Sequence, residues 1–142
     1  AIDENSPGLE KIVKEHYNPI IRKIRSIEKP IIAAVNGVAA GAGASIALCC
    51  DIVVAKKSAV FVQAFSKIGL IPDSAATFFL PRLIGLQKAT GLMMTADPIS
   101  ADDAFNIGMI YKVYDDNDFE NEVDLDVQSV VGGANVLQLQ LD

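Results

Sequence analysis

The sequence predicts a single α/β domain. Two short apolar runs rich in β-branched residues, Ile31–Val35 and residues 52–55, contain no charged side chain, as is typical of parallel strands buried on both faces. A short helical segment lies between them, which predicts a compact βαβ unit. The chain has 142 residues, of which 51% are hydrophobic, and this is enough for one domain with its own core.

The first helix is predicted over residues 9–27. Its apolar residues recur at spacings of three, four and seven, with charged residues between them; they are Leu9, Ile12, Val13, Ile20, Ile24 and Ile27. Pro19 predicts a kink. Pro30 ends the helix, because the residue before a proline is pushed out of the helical region.

The run from Ile31 to Cys50 is the most informative part of the chain, because it has no charged side chain. One interpretation is a membrane span, which needs about twenty apolar residues. The turn dipeptide Asn36-Gly37 and the many alanines and glycines favour instead a buried strand, a glycine-bearing turn and a short helix over residues 44–50. A helix start beside such a turn has unpaired N–H groups that can bind an anion.

Turn signals and periodicity predict the remaining elements. In order, they are an extended segment at 60–65, a loop up to Asp73, a helix at 74–80, a break at Pro81, a helix at 85–95, a helix capped by Ser100 and Asp103 that ends near Asn106, and a strand at 109–114. After Asp115 the sequence becomes strongly acidic and then loses any clear period. No packed structure is predicted there.

Composition excludes several classes of function. The net charge of −6 is opposite in sign to the basic surface that nucleic-acid binding requires. Cys49 and Cys50 are adjacent in an apolar segment, which fits neither a disulfide framework nor a metal site. A cytoplasmic protein with free thiols is predicted, since the first residues also lack the features of a secretory signal.

Three common site motifs are incomplete. Gly41 and Gly43 begin a dinucleotide-binding pattern, but Ile46 stands where the third glycine is required, and no Gly-Lys-Ser/Thr follows for a phosphate loop. Ser45 lacks the second glycine of a nucleophile elbow. The only imidazole, His16, lies on the first helix, so neither a Ser-His-Asp triad nor a zinc site is predicted.

Asp73 admits two interpretations. It follows Ile71-Pro72 in an apolar loop and precedes a predicted helix, so it is a candidate N-cap. A carboxylate among apolar residues is also a candidate general base. Local sequence alone favours the cap by about two to one, because aspartate is a common capping residue.

A series of motifs resembles the enoyl-CoA hydratase/isomerase (crotonase) superfamily. The matching segments, in the family's order and spacing, are KPIIAAVNGVAAGAG at 29–43, ALCCDI at 47–52, Phe61, GLIPD at 69–73, LPRLIG at 80–85, ISADDA at 99–104 and GMI at 108–110. The resemblance covers residues 17–116. A series this long is far more specific than any one of its motifs.

The resemblance implies a spiral of ββα units. Residues 1–116 then form a partial crotonase core without its N-terminal units, and residues 117–142 are an atypical acidic segment in place of the region that assembles trimers or dimers of trimers. Within that segment, residues 135–142 are similar to a late helix of the family that arrives too early. The chain is therefore interpreted as truncated at both ends.

The resemblance also implies a site for an acyl-CoA thioester, with coenzyme A as part of the substrate and no metal or redox cofactor. The backbone N–H of Ala42 is then a donor to the thioester oxygen, because two such donors stabilise the enolate in this family. Further substrate contacts are implied at Ala40, Gly41, Gly43 and Ile71.

Departures from the family indicate the subclass. Hydratases carry two glutamates at positions that Ser45 and Phe65 occupy here, so hydration is the weakest of the three hypotheses. Asp73 remains, at the position of a single acid/base in some isomerases, and its segment looks most like the 2-(1,2-epoxy-1,2-dihydrophenyl)acetyl-CoA isomerases of phenylacetate breakdown. With this context Asp73 is favoured as the catalytic base. The alternative is an inactive crotonase-fold fragment that binds acyl-CoA or serves in assembly.

Another departure follows Asp73. The isomerase branch commonly has Gly-Gly-Thr where this chain has Ala75, Ala76 and Thr77. The two additional methyl groups are expected to narrow the pocket near the substrate.

Overall fold

The computed structural model describes residues 8–130 and the backbone of residues 131 and 137–141. The strands in these ranges are β1 (Ile31–Val35), β2 (Val38–Ala40), β3 (Ile52–Lys56), β4 (Val60–Val62), β5 (Ile99–Ser100), β6 (Lys112–Tyr114) and β7 (Leu137–Leu141). The α-helices are α1 (Leu9–Ile12), α2 (Asn18–Ser26), α3 (Ala42–Leu48), α4 (Ala76–Ile84), α5 (Leu86–Thr95), α6 (Ala101–Asn106) and α7 (Phe119–Val131). A π turn (Val13–Tyr17) joins α1 to α2, and a 3₁₀ turn lies at Ser66–Ile68.

Two sheets organise these elements. The larger sheet is parallel, with strand order β6-β3-β1-β7. The smaller sheet has the order β2-β4-β5, in which β2 pairs with β4 in parallel and β4 pairs with β5 antiparallel. Because β1 leads directly into β2, the larger sheet fixes the position of the turn that follows β2.

Strand β1 contributes to a hydrophobic core on each of its faces. Alternate residues belong to different clusters, since successive side chains of a strand point to opposite faces. The larger cluster contains Ile31, Ala33 and Val35 with residues of α3, α4 and α5. The smaller contains Ile32 and Ala34, which pack with residues of β3 and α7. This double burial explains the uninterrupted apolar sequence of β1.

Helix α7 covers the second face of the larger sheet. Phe119 and Val123 are 2% and 1% exposed and pack in the smaller core cluster. Asp126 also ties the helix to β6, because its carboxylate accepts hydrogen bonds from Lys112 Nζ at 2.8 Å and from Tyr114 Oη at 2.6 Å. Burial, reinforced by the hydrogen bond to Asp126, raises the pKa of Tyr114. The hydrogen bond to Asp126 raises the pKa of Lys112.

An ion pair between Arg25 and Asp51 stabilises the turn between α3 and β3. Arg25 of α2 donates from Nη1 to Asp51 Oδ1 at 2.8 Å and to the carbonyl of Cys49 at 3.0 Å. The second carboxylate oxygen of Asp51 accepts a hydrogen bond from the backbone N–H of Ile31 at 2.9 Å. These contacts anchor α2 to the start of β1.

Several predicted boundaries are confirmed and others are wrong. The first helix, β1 and β3 lie where the sequence places them, and Ser100 caps α6 through a hydrogen bond from the Asp103 N–H to its hydroxyl of 3.1 Å. The helix irregularity is the π turn, which ends at Tyr17, two residues before Pro19. The predicted helix at 44–50 begins earlier, at Ala42, and the predicted strand at 109–114 is shorter.

Pro81 does not interrupt the helix, contrary to the prediction. It lies inside α4, and the helix ends at Ile84 before Gly85, which has φ +81°. A proline lacks the N–H that would bond to the carbonyl four residues earlier, here that of Thr77. Because Thr77 is exposed, the helix loses that bond where the chain faces solvent.

The C-terminal part differs most from expectation. The acidic segment, for which the sequence predicts no packed structure, forms α7. The similarity of residues 135–142 to a late helix is misleading, because the backbone at Leu137–Leu141 is a strand that pairs in parallel with β1. Alternation of leucine and glutamine has the period of a strand rather than of a helix. In the described ranges, no helix has both the length and the apolar character that crossing a membrane requires.

Candidate functional site

The glycine turn lies between β2 and α3. Gly41 has φ +53° and ψ −119°, a conformation that residues with a side chain rarely adopt. Its N–H donates to the carbonyl of Val62 in β4 at 2.8 Å. Helix α3 begins at the next residue, Ala42, and the first N–H groups of a helix have no acceptor within it. The predicted donor role of Ala42 requires this arrangement of the backbone.

Ser45 and Phe65 both lie against Gly41. The Ser45 hydroxyl donates to the Gly41 carbonyl at 3.0 Å, and the Phe65 ring lies 3.8 Å from where a Cβ atom on Gly41 would be. The two residues are 1% and 5% exposed. Both side chains are thus buried beside the glycine turn, and neither is a carboxylate.

Asp73 ends the loop before α4 and is half-buried. Its Oδ1 atom accepts a hydrogen bond of 2.9 Å from the hydroxyl of Ser74. Ser74 and Ala75 have φ +51° and +62°, a left-handed conformation that costs about 1–2 kcal/mol for a residue with a side chain. Strain of this kind is concentrated at functional sites, and here it immediately follows the candidate base.

The N-cap interpretation of Asp73 is wrong. Helix α4 begins at Ala76, its N-cap residue is Ala75, and no side chain caps it. The carbonyl of Asp73, and not its carboxylate, accepts a hydrogen bond from the N–H of Ala76 at 2.9 Å. Two left-handed residues separate Asp73 from the helix, so its carboxylate is held by Ser74 instead.

Asp73 lines a groove of about 760 Å³ between the first helix and the loop that precedes α4. This volume lies in the range of small-molecule sites. The groove is lined by Leu9, Glu10, Val13, Lys14, Asn18, Arg22, Gly69, Leu70, Ile71 and Asp73. It therefore combines an apolar surface with a few polar groups. Within the ranges that the structure describes, no group of three His, Cys, Asp or Glu side chains is placed to hold a metal ion.

The predicted site residues form two groups. Gly41, Ala42 and Gly43 lie together in the glycine turn, and Ile71 and Asp73 lie together in the groove. Helix α3 packs against α4, which links the two groups. The described residues that line the groove do not include Ala42 or Ala40.

The groove residues absent from the predicted site include four polar residues of the first helix. Glu10, Lys14, Asn18 and Arg22 recur every four residues and therefore share one side of that helix. That side is polar, and in an amphipathic helix a polar side normally faces solvent. This side of the helix differs from an ordinary solvent-exposed side only in that it faces the loop that precedes α4. Local sequence cannot show that it faces this loop.

Comparison with known proteins identifies the family. A family model described as enoyl-CoA hydratase/isomerase matches residues 1–138. The chain is 51% identical over 111 residues to a 1,2-epoxyphenylacetyl-CoA isomerase of Escherichia coli, and this match covers 78% of the chain and 42% of the relative. It is 46% identical over 114 residues to a probable enoyl-CoA hydratase of Rhodobacter capsulatus, with 80% of the chain and 44% of the relative covered.

Solved structures share the fold. The crystal structure of an enoyl-CoA hydratase from Mycobacterium avium subsp. paratuberculosis superimposes with a TM-score of 0.84 at 36% sequence identity, covering 89% of this chain and 51% of that one. The predicted α/β crotonase fold is therefore confirmed. The chain spans less than half the length of the two curated relatives.

Proposed function

Since the chain belongs to the enoyl-CoA hydratase/isomerase family, we propose that it takes part in the isomerisation of an acyl-CoA thioester, an enoyl-CoA or epoxyphenylacetyl-CoA ester. Asp73 is the acid/base, and the N–H of Ala42 is one donor to the thioester oxygen. The relative from Escherichia coli, an isomerase by name, supports this choice of substrate.

One observation carries the choice of isomerisation over hydration. The family resemblance places Ser45 and Phe65 at the positions where hydratases have glutamates, and both residues are buried against Gly41. The Ser45 hydroxyl proton is already engaged in a hydrogen bond. Of the two carboxylates that line the groove, Asp73 is half-buried and Glu10 is exposed, which favours Asp73 as the proton carrier.

A single carboxylate is sufficient for isomerisation. Asp73 takes a proton from the carbon next to the thioester or from the γ carbon, and the electron pair moves onto the thioester oxygen. The N–H of Ala42 stabilises that enolate oxygen because it is oriented before the reaction begins. Asp73 then returns the same proton to the other carbon, so no water is added and the substrate keeps its composition.

The substitution Asp73→Asn tests this mechanism. It keeps the size of the side chain and removes the base, so we expect kcat to fall by at least ~100-fold, the lower limit of a general-base contribution, with little change in acyl-CoA binding. The control is Glu10→Gln, which neutralises the exposed groove carboxylate. Turnover by the Asp73→Asn protein at the wild-type rate would contradict the proposal.

A second candidate is acyl-CoA binding without turnover. It is favoured by the position of Ala42, which is not among the described residues that line the groove. Calorimetry with a phenylacetyl-CoA ester separates the candidates when it is combined with a turnover assay. Heat of binding without product supports the second candidate, and product supports the first. The absence of heat at millimolar ester excludes both.

Assembly into a homotrimer or hexamer, and residence in the cytoplasm, are also proposed from the family. Large apolar side chains that are exposed in this chain support assembly, among them Leu86 and Met94, each 73% exposed, and Tyr111, 57% exposed. Light scattering after size-exclusion chromatography tests the oligomeric state. A monomer at micromolar concentration contradicts it.

A further inference from the structure

The two cysteines form a thiol pair that the proposed reaction does not use. Cys49 and Cys50 are both free thiols. Their Sγ atoms donate to the same acceptor, the carbonyl oxygen of Ile46, at 3.1 and 3.4 Å respectively. The two sulfur atoms therefore converge on one point at the end of α3.

The two thiols also shift each other's pKa. The interaction with Cys50 lowers the pKa of Cys49, and the same interaction, together with burial, raises the pKa of Cys50. Thiolate is the form of cysteine that reacts and binds metals. The pair thus contains one sulfur with increased thiolate character and one that stays protonated.

One member of the pair is accessible from a cavity. Cys50 lines a cavity of about 290 Å³ beside β3 and is 8% exposed, whereas Cys49 is fully buried. Most of the other lining residues are apolar, and Leu83 and Tyr111 at its edge are 41% and 57% exposed. Cys50 is therefore the member of the pair that borders a cavity large enough for a small apolar group.

An atom bonded to both sulfur atoms fits this pair of adjacent cysteines better than a direct disulfide bond. Adjacent Cα atoms lie about 3.8 Å apart across a trans peptide, which is shorter than the separation usual in disulfides. A soft atom that binds both sulfurs relieves this constraint, because its two bonds to sulfur hold the sulfur atoms farther apart than a direct S–S bond. Thiolates are the protein ligands that soft atoms prefer.

We propose that Cys49 and Cys50 form a binding site for trivalent arsenicals. An arsenoxide R–As=O reacts with both thiols, two As–S bonds form, the As=O bond breaks, and the oxygen leaves as water with the two thiol protons. Arsenic stays trivalent and no oxidant or reductant is required. The apolar cavity beside Cys50 holds the organic group R.

The test uses the folded chain and phenylarsine oxide. We expect one phenylarsenic group per chain by intact mass under native conditions, retained against excess 2-mercaptoethanol and released by 2,3-dimercaptopropanol. The second As–S bond is intramolecular, so retention should exceed that of a single thiol by ~100-fold or more. Since the chain has two cysteines, any adduct reports on this pair.

Cys49→Ser and Cys50→Ser are the matched variants. Each leaves one thiol, so each should release the arsenical to 2-mercaptoethanol. Leu83→Trp fills the cavity entrance and should slow formation of the adduct without changing its final stoichiometry. The proposal is overturned if the wild-type chain forms no adduct until it is denatured, or if 2-mercaptoethanol removes the arsenical from the wild-type chain as readily as from the serine variants.

Discussion

The hydroxyl of Ser74 donates a hydrogen bond of 2.9 Å to Oδ1 of Asp73, although Ser74 has φ +51° and is 2% exposed. A left-handed backbone at a buried residue with a side chain is unfavourable. Here it places a donor beside a half-buried carboxylate that would otherwise have to cap α4 or face solvent. The orientation of the candidate base is thus determined by its neighbour in the chain.

Ser74→Ala should therefore destabilise the protein. It removes a hydrogen bond to a charged group, for which we expect a loss of about 1–3 kcal/mol in the free energy of unfolding. Urea denaturation measures this loss. Ser66→Ala is the control, because Ser66 is exposed in the 3₁₀ turn, and it should change stability by less than about 0.5 kcal/mol. Equal stability of the two variants would mean that the Ser74 hydrogen bond contributes nothing.

Ala75→Gly should stabilise the protein. Ala75 has φ +62°, and glycine adopts this conformation without the steric cost, so we expect a net gain of about 0.5–1 kcal/mol after the entropic cost of glycine. Ala76→Gly, one residue later in α4, should instead lose about 0.5–1 kcal/mol. Thermal unfolding of the two variants gives opposite shifts in Tm if the left-handed turn is present. Shifts of the same sign would contradict it.

Gly41 and Gly43 should respond differently to alanine. Gly41 has φ +53°, whereas a Cβ on Gly43 meets no atom within 4 Å and needs no positive φ. Gly41→Ala should lower the free energy of unfolding by about 1–3 kcal/mol because of backbone strain. A steric clash adds nothing to this cost, because the new Cβ would lie at an ordinary contact distance from the Phe65 ring. Gly43→Ala lies within α3 and should be neutral or stabilising by up to about 1 kcal/mol. Chemical denaturation measures both changes, and a neutral Gly41→Ala would show that the turn adopts another conformation.

Stability should fall at alkaline pH through the cluster that holds α7. The pKa values of Tyr114 and Lys112 are both raised in the folded chain. Above pH 10, the ordinary value for tyrosine, the unfolded chain loses protons that the folded chain still binds. The stability that these two groups contribute is therefore fully present below pH 10 and is lost as the pH rises through their folded pKa values.

Urea unfolding between pH 8 and pH 11, a range of about three units chosen around these groups, measures this dependence. Tyr114→Phe should make stability less dependent on pH, because it removes one of the two groups. Asp126→Asn should do the same, because it removes the charged acceptor that both groups share. An unchanged slope in both variants would exclude this cluster as its origin.

Elements with strong local signals could be predicted from the sequence. The β1 run is apolar because both of its faces are buried, and the Ser100 cap needs only residues three positions apart. Pro81 was misleading because its effect depends on where the lost hydrogen bond falls, and Thr77 is exposed. The strand β7 depends on its partner β1, which is distant in sequence.

The candidate site was predictable only in part. The family motif favours Asp73 as the base, which stays a prediction, whereas local sequence favours a cap that the left-handed residues Ser74 and Ala75 prevent. Lys14 and Arg22 were not predicted because charged residues on an amphipathic helix normally face solvent. They line the groove because of tertiary packing, and the periodicity of a single helix does not reveal which segment packs beside it.

The pairing of β7 with β1 has a consequence for the order of folding. β1 pairs with β3 across the intervening β2 and α3, whereas its other partner, β7, begins only at Leu137. Contacts between residues so far apart slow folding, because the entropy of closing the loop is lost before the contact forms. During synthesis, when domains emerge N-terminal part first, one edge of β1 stays without β7 until Leu141 is made. A ribosome-bound chain that ends before Leu137 should therefore expose β1 to other strands.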